Sequence, residues 1–208
     1  MMKNADMHDD ARRDHTSRNN ERVGIFGGSF DPVHSGHLIL AESSMEELRL
    51  DRIIFIPARL SPFKKNRPPS ATPQERIAML SQAIKGESRF TVDDRELDRE
   101  GPSYAIDTVR LLRADYPGAQ FFYLIGADNL RELGKWHEID YLRHLVDFAV
   151  LDRGNPWDKG TCPYPVVSRR IDISSTEIRE RLAGGLSIRF MVPSGVYDII
   201  MQHHLYRS

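Results

Sequence analysis

The stretch GIFGGSFDPVHSGHLILAE, Gly24 to Glu42, gathers the side chains best suited to chemistry. His34 and His37 stand three residues apart, just beyond Gly27, Gly28 and an Asp31-Pro32 pair. Glycine lets the main chain turn tightly and approach a ligand closely. Backbone N–H groups at such a turn, and at the helix start after it, can hold anionic oxygens. If the first helical turn opens between the histidines, both rings can face one cleft and donate to phosphate oxygens. Other readings stay open. A histidine here can cap or pack, Asp31 suits a turn, and Glu42 suits a solvated or structural position. Two imidazoles at this spacing could also bind zinc, but no nearby acidic or cysteine cluster closes a ligand set. The GxxxxGK[ST] and GxGxxG phosphate-loop patterns are absent.

Two further stretches carry chemical side chains. In ISSTEIRERL, Ser174 and Glu177 have capping-box spacing, and Ser175, Thr176 and Arg179 follow at the helix start. That is either a capped helix with a surface arginine, or hydroxyls and a guanidinium fork set for phosphate. In GKWHEI, Trp136 is either core packing or a stacking surface, with His137 beside it.

These residues need a frame. RVGIF, Arg22 to Phe26, reads as a strand ending at the glycine pair, and Leu38 to Leu50 recur at helical spacing. RIIFIPA is a continuous apolar run, as in a buried strand. RLSPFKKNRPPSA lacks periodicity and reads as a basic loop. Thr72, Pro73 and Glu75 open a helix with a capping box. RFTVDD is a strand candidate, and a helix runs from about Tyr104 to a stop at Pro117-Gly118. Gln120 to Gly126, VDFAVLDR and YPVVS are further strands. NLRELGKWHEIDYLRHL is helical with an interruption near Gly134, and VPSGVYDIIMQHHLYRS is a terminal helix. Buried strands alternating with helices predict an α/β, Rossmann-like, doubly wound and mostly parallel sheet with helices on both faces. Ligands in such sheets sit beyond the carboxyl ends of the strands, at a switch point.

Composition narrows the class. The 208 residues are 40% hydrophobic, enough for one well-filled core. Residues 1–20 are polar and read as a disordered tail, without the apolar segment of a secretory signal; residues 21–208 read as a single domain. The net charge of −1 argues against a general nucleic-acid binder, and no apolar run is long enough to span a membrane. One cysteine, Cys162, cannot form an internal disulfide, and a cytoplasmic location is expected.

GGSFDPVHSGHL resembles the signature of the HxGH nucleotidyltransferase superfamily. GPSYAIDTVRLLR, FFYLIGADNLRELGKWHEIDYL, DISSTEIRERL and MVPSGVYDII are similar, in order and spacing, to motifs of bacterial nicotinate-mononucleotide adenylyltransferases. The resemblance runs from about Arg22 to Tyr206. It implies transfer of the adenylyl group of ATP to nicotinic acid mononucleotide, giving nicotinic acid adenine dinucleotide and pyrophosphate in NAD biosynthesis. Mg²⁺ would accompany the ATP, held mostly by phosphates and water.

The resemblance also implies roles. Gly27, Gly28, Ser29, Phe30 and Gly36 line the nucleotide turn. His34, His37, Lys64 and Arg179 contact the ATP phosphates, with Ser175 and Thr176 in a second clamp. His37 is the first candidate for transition-state stabilisation. Gly126 and Asp128 follow a strand end, where Asp128 holds ribose or orients the Mg²⁺–phosphate assembly. Ser103, Tyr104, Asp107 and Thr108 form the substrate side, and Trp136 with His137 stacks on the nicotinate ring. The chain departs from the family at Phe63, where a histidine is usual, at Ser61, where proline is usual, and at Ala105, where threonine is usual. A monomer or small homo-oligomer is expected. Adenylation of nicotinamide mononucleotide or another phosphate substrate remains open, as does a non-catalytic nucleotide-binding module.

Overall fold

The computed structural model describes residues 20–60, 68–99, 101–154 and 160–207. The tail at 1–19 and the basic-loop residues Ser61, Phe63, Lys64, Lys65 and Arg67 lie outside the described residues.

Seven β1 residues, Arg22–Gly28, start the sheet. In chain order there follow α1 (Ser35–Glu47), β2 (Arg52–Pro57), α2 (Pro73–Ala83), β3 (Phe90–Val92), α3 (Ala105–Asp115) and β4 (Gln120–Gly126). Then come α4 (Ala127–Leu130), a 3₁₀ turn (Leu133–Lys135), α5 (Ile139–Leu145), β5 (Asp147–Asp152), β6 (Val166–Ser168), α6 (Ser175–Ala183) and α7 (Ser194–Gln202).

The six strands form one sheet in the order β3-β2-β1-β4-β5-β6, and every pairing is parallel. Phe26 pairs with Phe55 of β2 on one side and Leu124 of β4 on the other. The order reverses between β1 and β4, which is the switch point.

Alternation along β1 divides the core into two layers. Phe26 packs with Leu40, Met79, Leu80, Ile178, Val196 and Ile200, so α1, α2, α6 and α7 cover one face. Val23 and Ile25 pack with Ile106, Val109, Leu112, Ile139 and Leu142, so α3 and α5 cover the other. The doubly wound α/β expectation therefore holds.

The capping signals act as their chemistry requires. Thr72 Oγ1 accepts from the Glu75 N–H, and the Glu75 carboxylate accepts from the Thr72 N–H, which starts α2. Ser174 Oγ accepts from the Glu177 N–H at 3.1 Å and starts α6. The stretch around Trp136 is less helical than its periodicity suggests. Trp136 has extended backbone (φ −67°, ψ 143°) after the 3₁₀ turn, and Glu138 takes φ 50° before α5 begins. Trp136 and His137 thus sit in a corner between two helical pieces.

Candidate active site

The strand β1 ends in a turn that is tied from below. The Arg76 guanidinium, 2% exposed, donates to the carbonyls of Ser29 and Ala58, both at 2.8 Å. It fixes the carboxyl ends of β1 and β2 relative to each other. Phe30, at φ 47°, then directs its ring to 5.1 Å from that of His37.

The two histidine rings lie 3.7 Å apart at the start of α1. His37 Nδ1 accepts from the His34 N–H at 3.2 Å. Neither ring nitrogen of His34 has a hydrogen-bond partner among the described residues, although the side chain is fully buried. Burial, then the nearby positive charge of Arg153, lowers the His34 pKa to about 3. Burial, then His34 and Arg153, lowers His37 well below its usual value. Both imidazoles are therefore neutral at pH 7, each with one N–H to offer. Gly36 makes this packing feasible: a Cβ there would meet Ile171 Cγ2 at 2.8 Å and His34 Nδ1 at 3.0 Å.

The start of α6 docks on the same turn. Ser175 Oγ donates to the Pro32 carbonyl at 2.9 Å, and Arg179 Nη1 donates to the Asp31 carbonyl at 2.6 Å. Arg179 Nη2 donates to Thr176 Oγ1 at 3.3 Å. His34, His37, Ser175, Thr176 and Arg179, far apart in sequence, are thus gathered around residues 31–37.

A cavity of about 400 Å³ opens beside this cluster, at the ends of β1 and β4. Gly27, Gly28, Ser29, Ser103, Tyr104, Gly126, Trp136 and His137 are among its walls. Trp136 stands edge-on to Tyr123 (5.5 Å) and Phe148 (6.2 Å), and His137 lies over Tyr104 at 4.6 Å. Ser103, Tyr104 and Ala105 at the start of α3 line the cavity, and the N–H groups of a helix's first turn point out of its N-terminal end.

Three anticipated residues stand away from this wall. Thr108 is fully buried; its hydroxyl donates to Glu96 at 2.6 Å and accepts from Arg99 at 3.0 Å. It supports the cavity from behind, because its side chain lies on the core side of α3. Asp107 faces Arg110 at 3.7 Å and Arg99 at 4.0 Å. Asp128 packs its carboxyl against Gly126 and faces the charge of Arg153.

Four residues enter the picture only with the fold. Glu96 is buried in the cavity wall, and burial pushes its carboxyl pKa up. In sequence it sits in the charged run DDRELDRE, which carries no sign of burial. Arg153 follows β5 and bears on both histidines. Arg76 left a usable sign, since it occupies the core-facing helical spacing shared by Met79, Leu80 and Ala83. Tyr206 donates to Asp31 Oδ1 at 2.8 Å across 175 positions.

A nucleotide-sized cavity at the switch point, joined to a cluster of phosphate-type donors, describes a nucleotidyltransferase site. In agreement, a cytidylyltransferase-like family model matches residues 25–181. A protein of Geobacillus thermodenitrificans (strain NG80-2) named "Probable nicotinate-nucleotide adenylyltransferase" is 43% identical over 188 residues, covering 89% of this chain and 86% of its own. A relative of the same name from Thermus thermophilus is 42% identical, with 89% and 100% covered. Plasmodium falciparum nicotinic acid mononucleotide adenylyltransferase complexed with NaAD superposes with a TM-score of 0.74 at 20% identity, over 90% of this chain and 98% of that one, a likeness of fold. The chain belongs to the nicotinate-nucleotide adenylyltransferase family within this cytidylyltransferase-like class.

Proposed function

We propose that this chain transfers the adenylyl group of ATP to nicotinic acid mononucleotide, releasing pyrophosphate and forming the deamido dinucleotide. The observation that carries this reading is the junction at Gly28-Ser29. On one side lies an aromatic cavity with Trp136, Tyr104 and His137. On the other lie the buried histidine pair and Arg179.

In the reaction a phosphate oxygen of the mononucleotide attacks the α-phosphorus of ATP. The new P–O bond forms as the bond between the α-phosphorus and its bridging oxygen breaks, and pyrophosphate leaves with that electron pair. No protein nucleophile or general base is needed, because the attacking oxygen is already ionised. The site must align two anions and offset the charge that grows on the leaving oxygens. Neutral His34 and His37 can donate N–H groups into a water-poor setting, where such bonds are strong. Arg179 adds a fixed positive fork, and the N–H groups at the α6 start add dipoles. Lys64 of the basic loop adds a further phosphate contact in this reading.

The substrate half has complementary features. The Trp136 and His137 rings can stack on a pyridine. The α3 start, which lines the cavity at the positive end of the helix dipole, suits the nicotinate carboxylate. An amide has no charge to meet there, so the acid is favoured over nicotinamide mononucleotide.

The donor set also fits Mg²⁺ arriving with the ATP. The phosphate cluster is built of imidazoles, hydroxyls and guanidinium, which bind anions. Among the described residues no three acidic, histidine or cysteine side chains converge as a cation cage. Phosphate oxygens and water would hold the ion, which offsets phosphate charge when bound. The test is direct. Purified protein with Mg-ATP and nicotinic acid mononucleotide should release pyrophosphate and form the deamido dinucleotide, faster than with the amide substrate. Absence of product from both substrates would overturn the assignment.

A further inference from the structure

Asp31 lies in the histidine motif but does not line the cavity. It is 5% exposed, and its carboxylate is almost fully used. Oδ2 accepts from the Ser70 N–H at 2.8 Å; Oδ1 accepts from the Ala71 N–H at 3.0 Å and from the Tyr206 hydroxyl at 2.8 Å. Arg179 Nη1 stands 3.9 Å from Oδ2 while it donates to the Asp31 carbonyl. One carboxylate therefore joins the nucleotide turn, the segment leading into α2, the α6 arginine and the C-terminal segment.

Tyr206 is built into this arrangement. Its backbone takes φ 61°, a left-handed conformation uncommon for a tyrosine. The Leu205 N–H donates to the Ile200 carbonyl, so the chain folds back over the end of α7. Leu205 and Tyr206 both pack on the core. Burial and the Asp31 charge push the phenol pKa up, so the hydroxyl remains a donor. Without that donor, Asp31 would hold two backbone N–H groups and would be freer to draw the Arg179 guanidinium into a closer ion pair. An arginine locked onto Asp31 is withdrawn from an incoming phosphate.

We propose that Tyr206 is a positioning residue of the triphosphate clamp: by saturating Asp31 it keeps the 31–37 turn in place and leaves Arg179 available to ATP. This rests on the adenylyltransferase reading. The hydroxyl touches no substrate; it acts through Asp31.

The test compares Tyr206→Phe with Leu205→Ala in the full chain. Tyr206→Phe removes one oxygen and keeps the ring, and should raise the ATP KM and the ATP Kd about three- to tenfold, the net worth of one ordinary hydrogen bond, because the hydroxyl acts on ATP only through Asp31 and Arg179. The mononucleotide KM should stay within about twofold, since the aromatic cavity is not touched. Leu205→Ala removes packing from the same segment. It should lower the melting temperature and leave both KM values unchanged below the transition. If Tyr206→Phe leaves ATP affinity at the wild-type value, or raises both KM values in parallel, the inference is overturned. If Leu205→Ala raises the ATP KM as much as Tyr206→Phe, packing rather than the hydroxyl is responsible, and the inference again fails. A wild-type protein that makes no product would instead overturn the proposed function. The direct ATP-binding measurement keeps the two failures distinct.

Discussion

At the residue scale, the central fact is that both motif histidines are buried and neutral. A solvated imidazolium would attract phosphate over a distance, but water screens it. A neutral imidazole in a dry site gives a directional N–H and places no like charge against Arg153 or Arg179. Burial with this restraint leaves a trace in stability. The folded chain holds His34 at a pKa of about 3, whereas the unfolded chain accepts that proton near pH 6.5. The unfolded state thus binds more protons in between. The contribution is fully present above pH 6.5 and is lost as pH falls toward 3. Between pH 7.5 and 5 one such group costs about 2 kcal/mol. Urea melts at the two values should show that loss, and His34→Asn should remove its share. Glu96, with its pKa pushed up, acts in the opposite direction, so the difference between wild type and variant isolates His34. An equal pH slope in His34→Asn would mean that the ring is not held neutral.

At the scale of elements, the signals that read correctly were local. The end of β1 at the glycine pair, the Thr72–Glu75 box and the Ser174 cap each concern residues within a few positions, whose backbone groups must find nearby partners; the tight turn expected of Gly27 and Gly28 falls instead at Phe30, since both glycines pair with β2 as the last residues of the strand. The contacts that complete the site are not local. Arg76 reaches Ser29 across 47 positions, and Tyr206 reaches Asp31 across 175. No periodicity encodes such a pairing. Glu96 is hidden for a related reason: a charge among charges carries no sign of burial until α3 closes over it. Trp136 shows the converse case. Its helical surroundings suggested a helix residue, yet the left-handed Glu138 and the 3₁₀ turn place it at a corner. That corner lets one indole pack edge-on against Tyr123 and Phe148 while it lines the cavity. Trp136→Ala should therefore raise the mononucleotide KM at least about tenfold and the ATP KM less than about twofold, because only the substrate half loses its surface. Trp136→Phe should recover part of the loss. Steady-state kinetics with each substrate varied in turn checks this; equal rises in both KM values would assign the ring to packing alone.

At the scale of the whole molecule, the strand order determines how two substrates meet. The sheet reverses direction of winding between β1 and β4, so the helices on either side diverge and leave a crevice at their shared carboxyl edge. The histidine pair follows β1 and faces the α6 arginine, whereas the aromatic corner follows β4. A ligand that reaches only one half orders one half. The dinucleotide product reaches both, and it binds as one molecule whose translational freedom is lost once. It should therefore stabilise the fold more than either substrate at matched concentration, with a shift that follows RT ln(1 + [L]/Kd). At 100 times its Kd the product adds about 2.7 kcal/mol, a clear rise in melting temperature for a chain of this size. Thermal melts with ATP, nicotinic acid mononucleotide and the deamido dinucleotide should rank the dinucleotide highest. The amide dinucleotide should fall below it, because the α3 start meets no carboxylate. A product that stabilises no more than ATP alone would show that the two halves of the crevice do not act on one ligand.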